Sequence, residues 1–231
     1  MAQEERSSSL SNSFTDLMTS IAVIFILLLC ASLNNAQQEG ETTRNSVLAE
    51  LQKELVEFVS RGIEVKADPK DPLGLLILVP EGLLAFQVDR WDIPGRGQIF
   101  LESFIPRLSK TIGSERFSKE INSIVVEGHT DSSGTAQHNW ELSQRRSMSV
   151  VKTSLDLLNR DDVQSEKDNF LHFLSASGRG SAEPVTDSLG EENPTLSRRV
   201  VFKIRVRSFE QKSLVEILGA AKGENGGNLN K

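Results

Sequence analysis

Apolar residues change their spacing three times along this chain, and each spacing predicts a different kind of element. From Phe14 to Asn34, "FTDLMTSIAVIFILLLCASLN", Asp16 is the single charge and apolar side chains fall on every side of a helix. About 21 residues at a rise of ~1.5 Å reach about 30 Å, the hydrocarbon thickness of a bilayer. This predicts a membrane-crossing helix over 14–35, preceded by a short arm, 1–13. The next ten residues, "AQQEGETTRN", are polar. In "SVLAELQKELVEFVS", Leu48, Leu51, Leu55 and Phe58 then recur at steps of three, four and three. That is the a/d spacing of a heptad seam. It predicts a helix inside a linker, 36–72, which either pairs with a second copy as a parallel coiled coil or packs on the domain that follows.

From Leu73 the pattern becomes that of a folded domain, 73–210. Two short apolar runs, Leu75–Val79 and Leu83–Val88, are broken by "PEG" and read as a hairpin. "GRGQIFLESFIPRLSKTIG" sets Ile99, Phe104, Ile105, Leu108 and Ile112 on one helical stripe. "NSIVVEGHTD" reads as a buried strand and a loop. "NWELSQRRSMSVVKTSLDLLNR" reads as an amphipathic helix through Leu142, Val150, Val151, Leu155 and Leu158, with Asn139 as its cap. "NFLHFLSASGRG" reads as a further strand. "RRVVFKIRVRS" alternates Val200, Phe202, Ile204 and Val206 with Arg199, Lys203, Arg205 and Arg207, as a half-buried strand does. The order β-β-α-β-α-β-β predicts an α+β fold with helices on a small mixed sheet. The segment 211–231 reads as a short helix and a disordered tail ending in "GENGGNLNK".

Composition narrows the function. The formal net charge is −6, with no block of Lys and Arg to displace counterions from phosphates, so nucleic acid is not the expected partner. The one cysteine, Cys30, lies in the apolar run, so neither an internal disulfide nor a cysteine metal cluster is expected. A cleaved leader would start basic, whereas this chain starts with Glu4, Glu5 and only Arg6, and "SLNNAQ" is a poor cleavage site. Cys30 follows Leu29 rather than the small residue that precedes a lipid-attachment cysteine. A retained single-pass anchor is the expected state. His129, His138 and His172 have no metal-ligand spacing, and Ser132 and Ser133 have no paired base in an evident motif. "GRGSAEP" lacks a phosphate-binding lysine. No enzyme active site, metal or cofactor is predicted.

Two stretches carry candidate chemistry. Asp16 either sits at the membrane interface, where an acid suits a helix start, or marks an ion path through the membrane. Thr19, one turn on, either joins that path or bonds its own helix backbone. In "VEGHTDSSGTAQHNWELSQRRSMSVV", Asp131 ends a strand and loop, while Arg146 lies on one helical face with Asn139 and Leu142. Such a pair grips a zwitterion, the carboxylate taking an ammonium and the guanidinium a carboxylate. Alternatively, the two pair with each other or with the fold.

Both stretches resemble known families. "FTDLMTSIAVIFILLL" resembles the membrane segment of the flagellar stator subunit MotB, which implies that Asp16 carries the transported ion, H⁺ or Na⁺. The stretch from His129 to Arg146, with "ASGRGSAEPV" and "NPTLSRRVVFKI" after it, resembles the peptidoglycan-binding OmpA-like domain over Leu73 to Arg207. This implies that Asp131 and Arg146 hold the amino and carboxyl groups of diaminopimelate in the stem peptide. Thr130, Asn139 and Leu142 would line that site, with Arg198 and Arg199 near it. The early strand departs from the family pattern, reading "LAFQVDRWDIPG", so contacts from Phe86 and Gln87 stay open. Together the resemblances imply a homodimer anchored to peptidoglycan within an ion-driven rotary motor of the bacterial inner membrane. Its N-terminus would be cytoplasmic, its C-terminal domain periplasmic, and its partner a polytopic MotA-like protein. The short arm and linker resemble the MotB-like subunit of Zorya anti-phage defence systems. The alternatives are a flagellar stator and a passive OmpA-like wall tether.

Overall fold

A computed structural model describes residues 2–159, 164–208 and 211–214. The chain divides into two compact units, residues 1–39 and 40–231. The first is wholly part of helix α1, Ala2–Glu54. Among the described residues it holds the one helical stretch long and apolar enough to cross a membrane, with mean hydropathy 2.3 over its best window and none of that window buried. Phe14, Leu17, Met18, Ile21 and the run Val23–Leu29 are open wherever they are large and apolar. A helix apolar on all sides has no buried face to choose and needs an apolar surround.

The second unit begins inside α1. Its core takes in Val47 and Leu51 from α1, Leu55 from the turn after it and Phe58 from the turn-long helix α2, Val56–Val59, with Leu48 packed partly against them. Of the two roles open to the seam, pairing with a second copy or packing on the following domain, its buried members Leu51, Leu55 and Phe58 take the second. The Phe58 ring stands edge-on to Phe100 and Phe104, at 6.0 and 5.4 Å between centroids. Gln52 Nε2 donates to Val65 O at 2.9 Å, and Arg44 Nη1 to Pro72 O at 2.8 Å. The a/d stripe finds this face because it lies in the same chain, at no cost in association entropy. Thus most of the region expected as linker belongs to the fold.

The sheet has five strands: β1 (Glu64–Ala67), β2 (Gly74–Pro80), β3 (Ile121–His129), β4 (Leu174–Gly178) and β5 (Arg199–Val206). Their order across the sheet is β1-β2-β5-β3-β4. Only the β3–β4 pair is parallel. The α+β fold with helices on a mixed sheet is as expected, but its elements differ from the expected order, beginning with the first hairpin. It is β1 with β2, Glu64 facing Leu78, not Leu75–Val79 with Leu83–Val88. After β2, "EGLL" makes one helical turn, α3 (Glu81–Leu84), ended by Ala85 at φ 54. Residues 85–94 then run as a loop in which Phe86 is buried and Val88 is open. With β1 on one edge of β2 and β5 on the other, no edge is left for a second hairpin strand.

Helix α4 spans Gly95–Gly113 and α5 Ala136–Leu158. In α4 the buried stripe uses Phe100 and Leu101 besides Phe104, Ile105, Leu108 and Ile112, and Ile99 is 68% exposed. In α5, Leu142, Val150, Val151 and Leu158 are buried, whereas Leu155 points outward. Residues Gln164–Phe173 form α6, so the strand expected from Asn169 starts only at Leu174. The short α7, Pro194–Ser197, leads into β5. In the segment 211–231, residues 211–214 are helical; the expected disordered tail lies outside the described residues.

Candidate functional site

The site lies where β3 ends and α5 begins. Gly128 fixes their approach: a β-carbon there would sit 2.2 Å from Ser143 O, so only glycine lets strand and helix come this close. Beyond β3, Thr130 N donates to Gly180 O at 3.0 Å. Asp131 Oδ1 accepts from Ser133 N at 3.1 Å and from the Ser133 hydroxyl. The N-cap of α5 is Thr135, whose hydroxyl accepts from His138 N at 3.2 Å. Asn139 is therefore not the cap. It is buried one turn in, where its Nδ2 donates to Asp131 O at 3.2 Å and Ser133 O at 2.7 Å, holding the loop in shape.

A cavity of about 520 Å³ opens beside this loop. Six of the seven residues expected at the wall site line it: Thr130, Asp131, Asn139, Leu142, Arg146 and Arg198. Arg199 does not. Its guanidinium turns away and donates to Ser197 O and Glu183 O, both at 3.1 Å. The Thr130 hydroxyl is buried against the cavity and has no hydrogen-bond partner among the described residues. A buried hydroxyl left unsatisfied is costly.

Asp131 and Arg146 are joined through two residues rather than directly. Asp131 Oδ2 meets Arg198 Nη1 at 2.6 Å, Arg198 Nε meets Glu81 Oε2 at 2.5 Å, and Glu81 Oε1 meets Arg146 Nη1 at 3.0 Å. Arg146 also donates to Arg90 O at 3.0 Å and Gln87 O at 3.2 Å, and its guanidinium lies 4.9 Å from the Phe86 ring centre. Burial pulls the Arg146 guanidinium below its ordinary value, and Glu81 opposes this. Burial pushes the Asp131 carboxyl up, but the Ser133 hydroxyl and Arg198 together carry it below the usual carboxylate range. The site is thus an alternating row of acidic and basic side chains facing a cavity.

Glu81 is the residue that sequence reasoning missed. It stands in "PEG", which looks like the tip of a hairpin. The αL residue Ala85 and the hydrogen bond from Glu81 N to Arg198 O, 3.2 Å, bring it to the site. Its carboxylate occupies both arginines as a ligand carboxylate would. In the first unit, Asp16 lies on the exposed surface of α1. The Thr19 hydroxyl donates to Thr15 O at 2.8 Å, the local backbone bond anticipated as one of its two roles.

Residues 95–195, from α4 to α7 and including the site loop, match the OmpA family model. The chain is similar over most of its length to the Zorya protein ZorB of Escherichia coli, 27% identical over 208 residues, covering 83% of this chain and 86% of that protein. The ZorB of Escherichia coli O139:H28 is 25% identical over 214 residues, covering 87% and 81%. Among solved structures, a MotB-like protein from Desulfovibrio vulgaris superposes with TM-score 0.53 at 21% identity, covering 74% of this chain and 96% of that one. The fold is therefore that of a MotB-like, OmpA-like α+β domain, in a chain that also has one long apolar N-terminal helix.

Proposed function

We propose that this chain is the peptidoglycan-anchored subunit of an ion-driven inner-membrane motor of the Zorya type. The cavity holding Asp131 and Arg146 on an OmpA-family domain carries this reading. A diaminopimelate end offers one ammonium and one carboxylate. The ammonium goes to Asp131, and the carboxylate displaces Glu81 from Arg146 and Arg198. Thr130 supplies a hydroxyl to whichever group reaches it, while Asn139 and Leu142 shape the wall.

The N-terminus is cytoplasmic and the domain periplasmic, because only that orientation brings the cavity to the wall. Asp16 binds and releases H⁺ or Na⁺ in a path formed with a polytopic MotA-like partner. An ion crossing the full potential delivers about 2.3 kcal/mol per ~100 mV. Two copies share the partner ring, and the wall supplies the frame against which torque acts. Similarity to ZorB along most of the chain favours defence over flagellar propulsion.

The test separates the two ends of the molecule. Asp16→Asn should abolish phage resistance in cells carrying the whole system, with the protein still retained on purified sacculi. Asp131→Ala should lose retention. A passive tether would be indifferent to Asp16→Asn, and that result would leave only the anchor.

A further inference from the structure

A second, smaller pocket of about 180 Å³ adjoins the main cavity and shares Asp89, His138 and Leu142 with it. Its own walls are Trp91, Glu141 and Arg145. Trp91 is one of only two tryptophans in the chain, and 41% of its surface is open. The Arg145 guanidinium lies 4.4 Å from its ring centre and is itself held by Glu141 Oε1, at 3.1 and 2.6 Å. On the shared border, His138 Nε2 meets Asp89 Oδ1 at 3.0 Å, and Asp89 sits in the left-handed region at φ 57. Nothing in the zwitterion reading of the main cavity uses Trp91, Glu141 or Arg145.

We propose that this pocket is a sugar subsite that takes a glycan residue of the same polymer whose stem peptide enters the main cavity. The inference rests on the wall-binding reading. An indole ring presents a flat apolar surface, which suits the C–H face of a pyranose. The Arg145 guanidinium lies over one face of that ring, and with the Asp89 and Glu141 carboxylates in the same wall it suits hydroxyl and amide groups, which these charges bind by charge-assisted hydrogen bonds. The stem peptide hangs from the glycan, and a residue of extended chain spans ~3.3–3.6 Å. A sugar a few residues from the gripped end therefore falls within reach of an adjoining pocket. The Glu141–Arg145–Trp91 stack holds the ring plane in advance, so less side-chain freedom is lost on binding.

The experiment compares two ligands on the full chain in detergent: a stem peptide free of sugar, and the same peptide on its disaccharide. Calorimetry should give the sugar-bearing ligand an affinity about tenfold higher. Trp91→Ala should remove that advantage and leave affinity for the free peptide unchanged, while Trp91→Phe keeps most of it. In a Trp140→Phe background the remaining indole emission should shift with the sugar-bearing ligand only. Equal affinity of the wild-type chain for both ligands, or an equal loss for both in Trp91→Ala, overturns the sugar subsite and leaves the wall reading standing. Binding of neither ligand overturns both.

Discussion

Arg198 and Arg199 are neighbours in sequence, as are His129 and Asp131 on either side of Thr130, yet they belong to different regions of the domain. Arg198 and Asp131 face the cavity, paired at 2.6 Å and open to a ligand. Arg199 and His129 face each other in the β3–β5 register, His129 buried and Arg199 half-buried. Arg199 holds the carbonyls of Ser197 and Glu183. His129 is 2% exposed, and its ring nitrogens have no hydrogen-bond partner among the described residues. Arg198 caps α7 with extended backbone and Arg199 opens β5, and neighbouring residues of extended chain point to opposite sides, so the adjacent cations divide between the cavity and the carbonyls of Ser197 and Glu183. The resemblance to OmpA-like domains grouped Arg198 with Arg199; geometry separates them.

Paired substitutions test that separation most strongly. Arg198→Ala leaves Asp131 and Glu81 facing each other without their shared cation and removes a candidate contact to the ligand carboxylate. We expect retention on sacculi to fall by more than tenfold, the range for losing one partner of a desolvated charge pair. Arg199→Ala should leave retention unchanged and instead lower the melting temperature, since two carbonyls lose their donor at about 1–3 kcal/mol in total. The reverse pattern, with Arg199 governing retention, would mean that the ligand enters from the other side of the sheet.

The inward side has its own signature in pH. Burial, then the nearby Arg199, pulls the His129 pKa down from 6.5 to about 3. The folded state thus keeps this ring neutral while the unfolded chain protonates it. Stability from this group is fully present above the unfolded value and is lost as pH falls from there towards the folded one. Between about pH 7 and about pH 5 the loss should be ~2 kcal/mol, read from thermal melts of the full chain in detergent. Glu127, whose carboxyl burial raises, works in the opposite direction. Glu183, held at about 2 by Lys70 and Arg179 against its own burial, adds stability that is fully present above the usual carboxylate range and is lost only as pH falls through that range towards about 2, so it does not affect the slope above about pH 5. The slope that disappears in His129→Gln belongs to the histidine, and an unchanged slope in that variant would remove it from the account.

Much of this arrangement was legible in the residues, in uneven amounts. The strand, loop and helix from Asn122 to Leu158 could be read because their periodicities are local, and the spacing of Asn139, Leu142 and Arg146 puts them on one helical face. The heptad stripe announced a buried face but not its partner: Leu51, Leu55 and Phe58 suit a second copy or a neighbouring core equally, and only the tertiary fold chooses the latter. Leu83–Val88 had the spacing of a strand, but β2 had no free edge to pair with it. Ile99 and Leu155 fit their stripes by spacing, yet the helices turn Phe100, Leu101 and Leu157 inward instead. Glu81 had no signal of its own, because its importance comes from two arginines more than sixty residues away.

Glu81 also offers the finest test of what the cavity side does. Its carboxylate bridges Arg146 and Arg198 at 3.0 and 2.5 Å and is itself largely shielded. A ligand carboxylate must compete with it, so part of the binding free energy goes into replacing one pair of charged contacts with another. Glu81→Gln keeps the shape and weakens the internal competitor. Affinity for the stem peptide should rise by a few fold, about 1 kcal/mol or less, with the gain shrinking at high salt, where exposed pairing weakens for both forms. A fall in affinity would reverse its role: Glu81 would then join Asp131 in holding the ammonium, and the arginine nearest the ligand carboxylate would be whichever of Arg146 and Arg198 suffers more when truncated in that background.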